Sequence, residues 1–163
     1  MNLIKDEMAD NHKILLFSQF TSALAILKEK LANAGIKYFV IEGKTKKADR
    51  LQFVDEFNSY DQPAVFLISL KAGGTGLNLT SADVVIHFDP WWNIVAENQA
   101  TDRAHRIGQK NNVTIYKMIA QNTIEEKIIE MQQKKAALAN SILSGNELAN
   151  AVINKETLLN ILK

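Results

Sequence analysis

Five short apolar runs constrain this chain more than any other feature: residues 14–17, 38–41, 65–68, 84–88 and 113–119. Each is rich in β-branched residues and bounded by Gly, Pro, Asp, Asn or Ser. Runs of this kind, without alternation, suit strands buried on both faces of a parallel sheet. Between them lie helical patterns. Leu24, Leu27 and Leu31 recur at helical spacing before Gly35, and Leu51, Val54 and Phe57 mark a helix over about 46–58. Ile94, Val95 and Ala104 mark another over about 94–106, and the first dozen residues also read as helical. Strands alternating with helices predict a three-layer α/β/α domain with right-handed crossovers, over residues 1–121. Residues 122–163 lack a strand pattern and predict a helical extension packed on the body. In it a helix starts near Thr123, with Glu125 and Glu126 in its first turn, and a last short helix falls at about 155–162.

A length of 163 residues suits one domain with a true core. Nineteen basic against 18 acidic residues, net +1, exclude a broadly basic surface but leave room for a local patch. The absence of cysteine excludes disulfides, cysteine-held zinc and a thiol nucleophile. No apolar stretch reaches the ~18 residues of a membrane span, and the opening residues are too acidic and polar for a secretory signal. A cytoplasmic protein is expected.

Ligands of open parallel sheets bind beyond the carboxyl ends of the strands, so the segments after each run carry the functional expectation. They are Ser18-Gln19-Phe20-Thr21, Gly43-Lys44-Thr45, residues 69–78 and Asp89-Pro90-Trp91-Trp92-Asn93. Their Gly, hydroxyl, amide and Lys groups suit anions. Gly43-Lys44-Thr45 imitates a P-loop, but Tyr38 stands where the first glycine belongs and the cradling loop is missing. It reads as a turn with Thr45 capping the next helix, and Lys44 and Lys46 remain candidate phosphate contacts. Gly73-Gly74-Thr75-Gly76 is too glycine-rich for a regular element, since each glycine costs about 1 kcal/mol there. It does not have the dinucleotide-binding spacing. Arg103 and Arg106 would share a helix face with Gln99, and Gly108 would end that helix at the ligand edge. By pattern alone the arginines suit a solvated surface pair or a bidentate phosphate site. His105 between them suits packing better than base catalysis. The adjacent Trp91 and Trp92 suit cap or core positions, or one buried and one presented to a nucleic acid.

Three stretches go further. Residues 66–79, containing Ser69-Leu70-Lys71-Ala72-Gly73-Gly74-Thr75-Gly76, resemble motif V of the Swi/Snf-type DNA-dependent ATPases. Gln99-Ala100-Thr101-Asp102-Arg103-Ala104-His105-Arg106-Ile107-Gly108-Gln109 resembles their motif VI, and residues 13–20 resemble motif IV. Gly43-Lys44-Thr45 with Arg50 and Phe57 is similar to the segment after motif IV, and residues 123–128 to the helices that brace the second lobe. The resemblance covers nearly the whole chain in order, and its motif V wording is most like bacterial members.

The resemblance implies the second, C-terminal lobe of a motor built of two RecA-like lobes with ATP between them. It implies that Arg103 and Arg106 are arginine fingers, worth roughly a thousandfold or more in rate. Gly73, Gly74, Gly76 and Gln109 would adjoin the nucleotide. Gln19, Lys44, Lys71 and Trp92 would touch double-stranded DNA, giving grip without sequence specificity. ATP with Mg2+ would be held mainly by the N-terminal helicase lobe of the same polypeptide. The implied reaction is ATP hydrolysis coupled to DNA translocation, or to remodelling of a DNA-bound protein such as RNA polymerase, in the bacterial nucleoid; this chain alone would be inactive. The alternative is a non-catalytic nucleic-acid or protein-interaction module that keeps the fold.

Overall fold

The computed structural model describes residues 1–73, 76–91, 93–104 and 111–143. The chain divides into two compact units, Met1–Ile119 and Ala120–Lys163.

The first unit holds all five strands: β1 (Ile14–Ser18), β2 (Tyr38–Ile41), β3 (Val65–Ser69), β4 (Val84–His87) and β5 (Thr114–Lys117). Every pairing is parallel and the order across the sheet is β2-β3-β1-β4-β5. Helices α1 (Asn2–Ala9), α2 (Thr21–Asn33), α3 (Lys47–Ser59), α4 (Leu70–Gly73) and α5 (Ile94–Thr101) complete the unit. This is the RecA-like α/β architecture the resemblance implies.

Handedness decides which face each helix covers. From β1 the chain moves outward to β2, then reverses through β3 and β4 to β5, so right-handed crossovers put α2 on one face and α3 to α5 on the other. The packing agrees. Ile14, Leu16, Leu67 and Ile86 form one core with Leu24, Leu27 and Leu31 of α2 and Ile4 of α1. Leu15, Phe17, Phe66 and Val85 form the other with Val54 and Phe57 of α3 and Ala100 of α5. Phe57 anchors the second core. Its ring lies 5.0 Å from Phe66 and 5.6 Å from Phe39, with the Lys13 ammonium 4.9 Å away over the ring. The same ammonium donates to the Phe57 carbonyl at 2.6 Å.

Helix ends follow local chemistry. Gly35 ends α2 at φ +67°, with Gly35 N–H donating to the Ala32 carbonyl and Ile36 N–H to the Leu31 carbonyl, a Schellman closure only glycine enters without strain. Three expectations are corrected. β5 is an outer strand with Thr114, Ile115 and Lys117 exposed, not a buried one; among the described residues no strand pairs beyond it in the sheet. The stretch after β3 opens with the one-turn helix α4, a loop by sequence because glycines dominate it. And α5 stops at Thr101, well short of 106. Arg103 N–H donates to the Ala100 carbonyl and Ala104 N–H to Thr101, a tightening from four-residue to three-residue spacing that unwinds the end.

In the second unit, α6 (Ile124–Leu143) starts as read. The Thr123 hydroxyl accepts the Glu125 N–H at 3.2 Å, and Glu125 and Glu126 occupy the first turn. The helix expected at 155–162 lies outside the described residues. No helix among the described residues is long and apolar enough to cross a membrane.

Candidate functional site

The order reversal sets a crevice beside the carboxyl end of β1. Its chain leaves toward α2 on one face, while the chains from its neighbours β3 and β4 leave toward the other. There Asp89, only 4% exposed, bridges two strand ends. Its carboxylate accepts the Ser18 hydroxyl through Oδ2 and the Gln19 N–H at 2.9 Å through Oδ1. The Ser18 hydroxyl also accepts the Phe20 N–H at 3.1 Å. A buried carboxylate needs such donors to offset lost hydration. The Gln19 side-chain amide donates to the Pro90 carbonyl at 3.3 Å, so the segments after β1 and β4 are stitched together twice.

After β2 the chain makes a tight turn. Thr45 N–H donates to the Glu42 carbonyl, and Glu42 N–H returns to the Thr45 hydroxyl at 3.0 Å. Thr45 therefore closes the turn and does not cap α3, whose N-cap is Lys46 without a side-chain hydrogen bond. The Arg50 guanidinium reaches back to the carbonyls of Thr45 at 2.8 Å, Gly43 at 3.0 Å and Glu42 at 3.3 Å. This clip holds Lys44 at the tip of the turn, 87% exposed and 3.1 Å from the Glu42 carboxylate.

After β3, Gly73 ends α4, and Gly76 sits at φ +73°, where a side chain would be strained. Gly74, Thr75 and the side chain of Lys71 lie outside what is described. After β4, Trp91 packs half-buried against the α3–α5 core, and Trp92 lies outside the described residues.

Arg103 is placed differently from the sequence reading. A crossover helix between parallel strands must run back against them, so α5 opens at the carboxyl edge and descends from it. Arg103 lies in the turn after that helix, 7% exposed, and its carbonyl accepts the Leu79 N–H at 3.1 Å. The arginine turn is thereby tied to the segment that follows the glycines, below the ligand edge and not on it. Arg106, Gln109 and the rest of 105–110 lie outside the described residues. The structure thus gathers Gln19 with the loop carrying Trp91 at one edge, sets Lys44 on the outer loop after β2, and places Arg103 further down the α5 face.

Sequence reasoning missed a buried polar network here. Val95, one of the apolar residues that mark this helix, is exposed, and the buried positions of α5 are Ala100 and the acidic Glu97, which the pattern does not single out. Glu97 Oε1 meets Lys117 Nζ at 2.5 Å and Glu97 Oε2 accepts the Trp91 N–H at 3.3 Å. His87, stacked on Phe17, meets the Thr101 hydroxyl at 2.9 Å through Nε2. Burial pushes the His87 imidazole below the usual histidine range, against the opposing pull of the Glu97 charge. No spacing rule finds Glu97, because its partners stand on other elements.

Comparison with known proteins places these residues in context. Residues 1–108 match the family described as helicase conserved C-terminal domain. The chain is 46% identical over 143 residues to an uncharacterised ATP-dependent helicase of Mycoplasma pneumoniae, covering 88% of this chain and 14% of that protein. It is 38% identical over 167 aligned residues to the ISWI chromatin-remodeling complex ATPase ISW1 of Saccharomyces cerevisiae, covering 99% of this chain and 15% of that protein. Its fold matches the crystal structure of the C-terminal part of the Fun30 ATPase domain with a TM-score of 0.76 and 39% identity, covering 79% of this chain and 42% of that one. The chain therefore spans only a small part of the curated relatives it matches.

Proposed function

The chain belongs to the helicase conserved C-terminal domain family, among the Swi/Snf-type ATPases, and from that premise we propose that it is the second ATPase lobe of a double-stranded DNA translocase. In this reading Arg103 and Arg106 meet the triphosphate held by an N-terminal lobe of the same polypeptide. Gly73, Gly74, Gly76 and Gln109 adjoin the nucleotide, and Gln19, Lys44, Lys71 and Trp92 grip the DNA backbone. The carrying observation is the anchored arginine turn: Arg103 is largely out of water and its carbonyl is bonded to Leu79, just beyond the glycines. A guanidinium held there exerts a stronger field on a phosphoryl oxygen than one in solvent, and needs little reorganisation when lobes close. Guanidinium and backbone amides suit phosphate oxygens and not a divalent cation, so Mg2+ belongs with the first lobe and no step on this lobe runs through it. The exposed Lys44 on its clipped turn is a point charge suited to a phosphate. Remodelling of a DNA-bound protein would be the output of such a lobe.

The test is ATP hydrolysis with and without duplex DNA in the full-length polypeptide and in this chain alone. The full polypeptide should show DNA-stimulated turnover and the isolated chain none; robust turnover by the isolated chain would overturn the half-site reading. Arg106→Ala should lower turnover by about a thousandfold while DNA affinity stays close to parent. Undiminished turnover removes the finger role.

A further inference from the structure

Glu97 is the most deeply buried charged residue described, at 1% exposure, and it stands in the first turn of a surface-facing helix. A buried ionised carboxylate is costly unless it is paired and hydrogen-bonded, and an apolar side chain would fill the same place without that demand. What the carboxylate supplies is attachment to two other elements. Oε1 forms an ion pair with Lys117 Nζ on β5 at 2.5 Å without hydrogen-bond alignment, and Oε2 accepts the Trp91 N–H of the loop between β4 and α5 at 3.3 Å. Its own backbone carbonyl accepts the Thr101 hydroxyl at 3.3 Å, and that hydroxyl meets His87 Nε2 at the end of β4. One residue therefore links β4, the loop after it, α5 and β5. That loop belongs to the carboxyl edge, where it is bonded to the DNA-contact candidate Gln19. Six residues along, about 9 Å of helix rise away, comes the turn holding Arg103. A loop displacement at one end must either carry α5 with it or break the Trp91–Glu97 hydrogen bond, and an α5 that shifts against β5 must break the Glu97–Lys117 pair.

We infer that the Glu97–Lys117 ion pair is the strut that couples engagement of DNA at the loop after β4 to the position of the arginine turn. Glu97 is a positioning residue, buried away from both ligands. The inference rests on the proposed ATPase reading and adds to it the means by which DNA stimulates turnover.

The experiment uses the full-length polypeptide carrying this chain, with a linear DNA duplex as the probe. ATP turnover is measured without DNA and at saturating DNA, beside duplex affinity and the thermal midpoint, for the parent, Glu97→Gln, Lys117→Met and Lys117→Arg. Glu97→Gln keeps an acceptor for Trp91 and removes the charge. Lys117→Met removes the cation at a half-exposed position, at a stability cost that the thermal midpoint reads. Both should lose about tenfold of the DNA stimulation factor, with DNA-free turnover and duplex affinity within about twofold of parent, and Lys117→Arg should restore the factor. Full stimulation in Lys117→Met, failure of Lys117→Arg to restore it, or loss of DNA-free turnover in parallel with thermal stability would each overturn the strut. A parent protein without DNA-stimulated turnover would instead remove the ATPase reading on which the strut stands.

Discussion

The Ser18–Asp89 contact offers a quantitative test of how the candidate DNA edge is held. Asp89 is almost wholly buried, and its carboxylate receives a hydroxyl from β1 and an amide N–H from Gln19. Hydrogen bonds to a charged acceptor contribute about 1.5–3 kcal/mol, against about 0.5–1.5 for neutral pairs. Asp89→Asn keeps an oxygen for the Gln19 N–H but turns both contacts neutral, so it should destabilise the unit by about 2–3 kcal/mol. Ser18→Ala removes the hydroxyl from Asp89 and also leaves the Phe20 N–H without its acceptor, for about 2–4 kcal/mol. The two losses overlap, because each removes the same charged bond. The double variant should therefore fall short of additivity by about 1–2 kcal/mol, the signature of direct coupling. Urea unfolding of the four proteins, followed by the fluorescence of the tryptophans next to Asp89 in sequence, measures all four corners of the cycle. A coupling below about 0.5 kcal/mol would mean that the two strand ends are held by packing alone, and would refute the argument that this bond fixes the position of Gln19.

Two further outcomes follow from other clusters. Arg50→Lys offers a point charge in place of a fork and cannot hold the carbonyls of Glu42, Gly43 and Thr45 together. Amide exchange at Thr45 should quicken and stability should fall by about 1–2 kcal/mol; unchanged exchange would show that the turn stands without its clip. At the other end of the sheet, the hydrogen bond from His12 to Asp83 at 2.9 Å raises the His12 pKa above its ordinary 6.5, with burial opposing it. A raised folded-state pKa contributes stability that is complete below about pH 6.5 and is lost as pH rises through the folded value. The contribution is small because the imidazole is more than a third exposed. His12→Gln should accordingly flatten the fall in stability between about pH 6 and pH 8, measured by urea unfolding; an unaltered slope would assign that fall to another group.

How much of this was legible in the sequence depended on whether a residue's neighbours were also its neighbours along the chain. β1 and β3 were legible because both their faces are buried, which leaves a continuous apolar run. The end of α2 was legible because a left-handed residue there selects glycine. β5 misled because its apolar composition says nothing about whether a further strand pairs beyond it. The P-loop imitation was correctly set aside from one missing glycine, but the role of Thr45 and the reach of Arg50 back to three carbonyls depend on how the turn closes, which spacing does not record. The helix α5 was the largest miss, and the reason is instructive. Ile94, Val95 and Ala104 marked it as a helix, yet its deepest residue is an acid whose lysine partner comes 20 residues later on a strand. Hydrophobic periodicity assumes that what is buried is apolar. Where a chain buries a charge, the pattern inverts, and such inversions concentrate where geometry matters more than stability. That inversion falls on the helix linking the candidate DNA edge to the arginine turn, which is why the variants at Glu97 and Lys117 probe function more directly than any substitution in the well-read core.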